Sequence, residues 1–211
     1  MTAPGLDALL GRVRQLTHAY RGGGPDAFEP FRELVNLLLQ LTVLREGGSV
    51  RLTRRRGAVE RGVLSGWQGP GDPLPLRDGR YLRLNMELYV APPEEGHRLK
   101  VYEASYQYQE DVEGHRWIFR YDYLRTPPDP HPAAHLQVRG TLTENCLPAH
   151  SPLERIHFPT HRVSIEAVIR LLADQFGVRC NEGDDVWRPV MDESERLFLE
   201  IAHPPLAGPA A

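Results

Sequence analysis

"YLRLNMELYV", residues 81–90, alternates without a break: Leu82, Leu84, Met86, Leu88 and Val90 fall on one side of an extended chain, and Tyr81, Arg83, Asn85, Glu87 and Tyr89 on the other. A period of two sustained this long predicts a strand with one apolar and one polar face. Three further stretches follow with aromatic and β-branched enrichment: "RLKVYEASYQYQ", "HRWIFRYDYL" and "AHLQVRGTL". The connections "APPEEG" and "DVEG" are short enough for antiparallel hairpins, so the strands should form a meander.

On either side of this block the period changes to that of a helix. Leu6, Leu9, Leu10, Val13 and Leu16 recur at helical spacing, "RGGGPD" interrupts, and "AFEPFRELVNLLLQLTVL" resumes the pattern with Pro30 close to its start. Beyond the strands, Ser164 is placed to cap a helix through "IEAVIRLLADQF" with Gly177 at its C′ position. Asp192 and Glu195 resemble a capping box ahead of "ESERLFLEIA". The expected fold class is therefore α+β: an antiparallel β-meander of about four to six strands packed with N-terminal and C-terminal helices. Residues 1–48 form the N-terminal helical region, 49–178 the sheet with a packed helix, and 179–211 a C-terminal helix and tail. At 211 residues these should share one compact domain.

Composition narrows the class. Charged residues are 25% and hydrophobic residues 41%, and no run approaches the roughly 20 apolar residues of a membrane helix, so no membrane partner is expected. The first residues, "MTAPGLDALLGRVRQL", lack the basic and apolar regions of a secretory signal, and a cytoplasmic location is expected. Cys146 and Cys180 make neither a disulfide framework nor a metal knuckle, and both are expected to be reduced. With a net charge of −3, overall basicity does not advertise nucleic acid; "RLTRRR" at 51–56 reads as a solvated edge or turn before it reads as a binding patch.

Histidine is the unusual feature. Five of nine, His131, His135, His150, His157 and His161, lie between positions 131 and 161, and four of them form two His-x3-His pairs. On a helix such pairs suit zinc, but Pro132 follows His131 and Pro159 separates His157 from His161, so neither pair is expected to be helical. In a strand, residues four apart stand roughly 13 Å apart, too far for one ion. Neither pair is therefore expected to hold an ion by itself; a metal would have to be assembled across segments, for example from His131, His157 and Asp122, which the sequence does not signal, and no cofactor is expected. The His-x-Thr or His-x-Ser pattern of two-histidine phosphoesterases is also missing: "HLQV" has Gln at the third position and "HRVS" has Val.

Alternation sorts the polar residues instead. Arg120 and Asp122 share one face of "RWIFRYDYL", and His135, Gln137 and Arg139 share one face of "HLQVRG". If the two strands pair, one sheet face carries all five. The bland alternative is a wet sheet face whose charges pair with each other for at most about 1 kcal/mol. The proline-rich loop "RTPPDPHPAAH" would hold His131 at the start of the His135 strand, which suits a site, although prolines also simply end strands.

"FRYDYLRTPPDPHPAAHLQV" followed by "IHFPTHRVSIEAVIRLLADQFG" resembles a group of small prokaryotic proteins, the TumE-like toxins, over roughly positions 80–178. Their shared features are an Arg-Tyr-Asp segment, a His-Pro segment leading into a His-led strand, and a helix begun by a Ser- or Thr-capped turn. The matching residues here are Arg120, Tyr121, Asp122, His131 and His135. The N-terminal helices, the C-terminal helix and the insertion "GTLTENCLPAHSPLE" depart from the family's pattern and leave room for a different role.

The resemblance implies the toxic member of a toxin–antitoxin pair, with an antitoxin protein and RNA as expected partners. In that reading His135 or His131 acts as general acid/base, since imidazole titrates near neutral pH, and Asp122 orients a histidine. Arg120 and Arg139 hold phosphate by forked hydrogen bonds. Gln137, His157, His161 and Tyr121 are further binding candidates; alternation puts Tyr121 on the opposite face. Two other classes stay open: a non-catalytic module that binds a protein or nucleic acid, and a metal-dependent hydrolase using the histidine cluster.

Overall fold

The computed structural model describes residues 5–55, 57, 59–66, 71–139 and 158–202. Two helices, α1 (Leu6–Arg21) and α2 (Phe28–Leu41), precede eight strands. The strands are β1 (Val50–Arg55), β2 (Arg61–Gly66), β3 (Leu74–Pro75), β4 (Tyr81–Val90), β5 (Leu99–Gln109), β6 (Trp117–Leu124), β7 (Ala134–Val138) and β8 (Phe158–Pro159). Helices α3 (Ile165–Asp174) and α4 (Asp184–Ala202) close the chain. The fold is α+β, and the described residues form six strands of five residues or more and two of only two residues.

Every pairing is antiparallel, in the order β1-β2-β4-β5-β6-β7-β8. Strand β4 is long enough that β2 and β3 pair with different halves of the same edge, β3 at Tyr81–Leu82 and β2 at Met86–Tyr89. The β5–β6 turn is built by the Asp111 carboxylate, which accepts the backbone N–H groups of Gly114, His115 and Arg116 at 2.6, 2.8 and 2.9 Å.

Register places the apolar residues of successive strands side by side. Leu52, Leu64, Met86, Ala104 and Tyr123 form one row across the sheet; Leu84, Tyr106, Tyr121 and Leu136 form a second; Leu82, Tyr108, Phe119 and Val138 form a third. All four helices lie over this face. Helix α1 buries Leu9, Val13, Leu16 and Tyr20, the four-three-four spacing of a helix with one buried stripe, and α2 adds Phe28, Leu34, Val35, Leu38 and Leu39. Each such side chain contributes roughly 1.5–3 kcal/mol on burial. Buried Asn36 of α2 ties the helix layer to the sheet edge: its amide donates to the Val50 carbonyl at 3.0 Å and accepts the Val50 N–H at 2.6 Å. Gly62 of β2 lies so close to Phe28 that a Cβ there would stand 2.7 Å from the ring.

The termini of α3 and α4 separate two expectations. Ser164 caps α3, its hydroxyl accepting the Ala167 N–H at 3.1 Å, as its sequence predicts. The capping box expected at Asp192 and Glu195 does not form, because α4 begins eight residues earlier at Asp184 and runs through Pro189. Proline inside a helix forfeits one hydrogen bond, and here burial of Trp187, Val190 and Met191 around it offsets that loss. Asp192 and Glu195 instead accept hydrogen bonds from the Arg170 guanidinium of α3. Residues 51–55 of the "RLTRRR" run lie in β1, the edge strand, where Arg51, Arg54 and Arg55 are exposed. Among the described residues no helix is long and apolar enough to cross a membrane.

Candidate functional site

The face of the sheet turned away from the helices carries polar rows with the same regularity. Asn85, Ser105, Asp122 and His135 stand in one row, and Arg83, Gln107, Arg120 and Gln137 in the next. Strand pairing thus sets Asp122 directly opposite His135 and Arg120 directly opposite Gln137.

These four side chains form one network. Arg120 Nε donates to Asp122 Oδ2 at 2.7 Å, and its Nη2 donates to Gln137 Oε1 through a short hydrogen bond. The same Asp122 oxygen faces His135 Nε2 at 3.5 Å, beyond an ordinary hydrogen bond and within range to orient the ring electrostatically. His135 is 4% exposed. A buried imidazole does not meet a macromolecular substrate, so its contribution passes through its neighbours.

His131 is the neighbour that reaches solvent. A turn in which its backbone N–H donates to the Pro128 carbonyl at 2.7 Å carries it back over the sheet. Its ring meets that of His135 edge to face, with centroids 4.7 Å apart. His131 Nδ1 lies 3.1 Å from the Pro132 carbonyl oxygen, a contact that suits the tautomer with its proton on Nδ1.

Three of the expected residues lie elsewhere. Tyr121 is on the helix side of the sheet, in the apolar row with Tyr106 and Leu136 and with its ring 5.7 Å from that of Phe119; burial pushes its pKa up. The strict alternation of β6 dictates this, and Tyr121 cannot share a site with Asp122. Arg139 has the right parity but lies past the end of β7, about 13 Å along an extended chain from His135. There its guanidinium donates to the His115 carbonyl in the β5–β6 turn. His161 is exposed and lines a cleft on the helix side of the sheet, beside Tyr123 and Arg162. His157 and Cys146 lie outside the described residues.

Among the described residues no group of three or more His, Cys, Asp or Glu side chains is arranged to hold a metal ion. Cys180 is a free thiol whose pKa is pushed up to about 11, by burial first and then by the Asp184 carboxylate. It is therefore a poor nucleophile at neutral pH. No protein-family profile, curated protein or solved structure matches this chain.

The helix-side cleft holds the residues that strand periodicity does not reveal. Arg162 stands in the segment between β8 and α3 and packs against two aromatic rings, while Glu166, in the first turn of α3, is buried and accepts the Ser194 hydroxyl at 2.6 Å. In sequence Glu166 looks like an ordinary acidic residue at a helix N-terminus. Its burial comes from α4 packing across α3, which no local pattern announces.

Proposed function

We propose that this protein is a toxin-like enzyme, of the kind found in prokaryotic toxin–antitoxin or defence systems, that cleaves RNA or another phosphodiester by metal-independent acid–base chemistry. The observation that carries the reading is the exposed His131 ring seated on a buried His135 that faces Asp122. His131 Nε2 takes the proton of a ribose 2′-hydroxyl as that oxygen attacks phosphorus. The imidazolium so formed returns the proton to the departing 5′ oxygen, and the products are a 2′,3′-cyclic phosphate and a free 5′-hydroxyl.

His135 and Asp122 are positioning residues in this scheme. Together they fix the surface on which His131 rests, and Asp122 favours a positive charge nearby. Arg120 contributes positive charge rather than a forked grip on phosphate, because Nε and Nη2 are already engaged. An antitoxin protein that covers the His131 loop would silence such an enzyme.

Growth of a bacterial host on induced expression tests the reading, with wild type beside His131→Ala and soluble levels of both compared. Arrest by wild type and recovery with the variant at equal level is expected; harmless expression of both would sink it. His131 is the better position to substitute than His135, since an exposed ring is removed with less risk to the fold.

A second reading, RNA binding without cleavage, is favoured by a stacked group where β4 ends and β5 begins, which Arg125 joins from just beyond the end of β6. Arg61 lies over the Tyr102 ring at 5.2 Å, Tyr102 meets Tyr89 edge to face at 6.4 Å, and Arg125 lies over Tyr89 at 5.8 Å. Rings and guanidinium groups of this kind stack unpaired bases. Retention of intact RNA by the purified protein would select this reading over the first.

A further inference from the structure

Over the helix face of the sheet, the C-terminal halves of α1 and α4 stand away from the ends of β4 and β6 and the start of β5, leaving a cleft of about 640 Å³. That is the size of a small-molecule site. Its walls are apolar and aromatic, with Phe31, Leu88, Val101, Tyr123 and Phe198 among them, and Leu199, an exposed apolar side chain, at the mouth. Its charged groups are mostly cationic. Lys100 is neutralised by Glu95 at 2.6 Å, and Arg125 Nε donates to the Val101 carbonyl at 2.9 Å.

Arg162 differs from both. Its guanidinium lies over the Tyr123 ring and over the Phe198 ring, each 5.1 Å from the centroid, and among the described residues no hydrogen bond or ion pair engages it. Burial is the largest influence on its ionisation and lowers its pKa, and the neighbouring Tyr106 and Tyr123 act the other way. The carboxyl group nearest in the interior, Glu166, does not offset the charge. It lies beyond a void of about 30 Å³, room for a water, is bonded to Ser194, and is itself driven towards its neutral form by burial. The guanidinium is partly buried and has no protein acceptor, so a ligand acceptor that replaces water there meets little competition. The two rings pack against the guanidinium without accepting from its N–H groups, which are left for a partner.

We propose that this cleft binds a small organic carboxylate with an apolar or aromatic body, its head bonded in the plane of the Arg162 guanidinium and its body laid against Tyr123, Phe198 and Phe31. One unpaired arginine matches one negative charge, which favours a carboxylate over a phosphate dianion. The site is independent of the chemistry proposed for the opposite sheet face. His161 at the rim faces Arg98, Lys100, Arg125 and Arg162 as cations and Glu95 as an anion, a surplus of positive charge that draws an anion in.

Thermal melting and calorimetric titration of the full chain with phenylpropionate and octanoate, each beside its amide, test the proposal, with phenyl phosphate as the other head group. The carboxylates are expected to raise the melting temperature and to bind at least about tenfold tighter than the amides. Arg162→Met should abolish that preference and melt no lower than the ligand-free wild type, since it removes a partly buried charge that has no protein acceptor. Arg162→Lys should retain part of the preference, because it keeps the charge but not the fork. Equal behaviour of acid and amide with wild type, or no shift with either, would overturn the assignment. So would unchanged binding in Arg162→Met, or a phosphate that outcompetes the carboxylates. If Arg162→Met does not fold, the acid–amide comparison on wild type and the Arg162→Lys result decide.

Discussion

Arg120 and Arg162 lie over opposite faces of one sheet and meet opposite fates. Arg120 is 39% exposed in its side chain and has two acceptors, Asp122 and Gln137, whereas Arg162 is half-buried and has two aromatic rings in place of acceptors. The difference follows from how each neighbourhood is assembled. Around Arg120 every partner sits on the same strand or the next, two residues away or directly across the ladder, so alternation alone supplies a carboxylate and an amide. Around Arg162 the neighbours arrive from α1, α2, β4, β5, β6 and α4, and only their shape and apolarity are satisfied. A charge paired by register belongs to the architecture. A charge left unpaired by tertiary packing marks a place for something that is not protein.

Asp122→Ala would make Arg120 resemble Arg162, and it carries the largest stability effect expected here. It strips the carboxylate from both Arg120 and His135, and a loss of about 1–3 kcal/mol is expected in urea denaturation. A loss within error of zero would mean that the outer network is screened by water and that its geometry is incidental.

Glu166→Gln probes the other side. Burial raises the folded pKa of Glu166 above its ordinary value of 4.5, so the folded state holds this proton more tightly than the unfolded chain does. Stability is therefore greatest below that value and falls as pH rises through the interval up to the folded pKa. Gln keeps an acceptor for the Ser194 hydroxyl and removes the titration. The variant should be more stable than wild type at neutral pH by on the order of 1 kcal/mol, with the advantage shrinking as pH falls towards 4.5. Parallel melting curves at acid and neutral pH would contradict this account of the cleft's interior.

The smallest effect belongs to Arg139. It is exposed and lies past the end of β7, where its guanidinium donates to the His115 carbonyl, so Arg139→Ala should change stability by no more than about 0.5 kcal/mol. It should also leave RNA cleavage within about twofold of wild type, unlike the tens- to thousands-fold losses that follow removal of an acid–base group. A large loss of activity would return Arg139 to the site from which its position past β7 separates it.

How much of this was legible follows the same division. The ten-residue alternation of β4 predicts the buried and polar faces residue by residue, and the partner strands inherit it through register. That is why Arg120, Asp122, His135 and Gln137 could be placed together, and why Tyr121 could not belong with them despite its place in the Arg-Tyr-Asp segment. His131 was reachable because prolines restrict the loop that carries it. The α4 boundary escapes the sequence because the Asp192–Glu195 spacing imitates a helix start, while burial of Trp187 and Met191 carries the helix through Pro189. The Arg162 cleft left no local trace, since a single arginine after a histidine reads as surface.

The most direct test of the central claim compares a short single-stranded RNA with its 2′-O-methyl counterpart, incubated with the purified full chain in the presence of a chelator. Cleavage of the RNA alone, with a 2′,3′-cyclic phosphate at the new end and a loss of about a hundredfold or more in His131→Ala, is the predicted result. No cleavage of either strand, or equal cleavage of both, would contradict a reaction in which His131 activates the ribose hydroxyl.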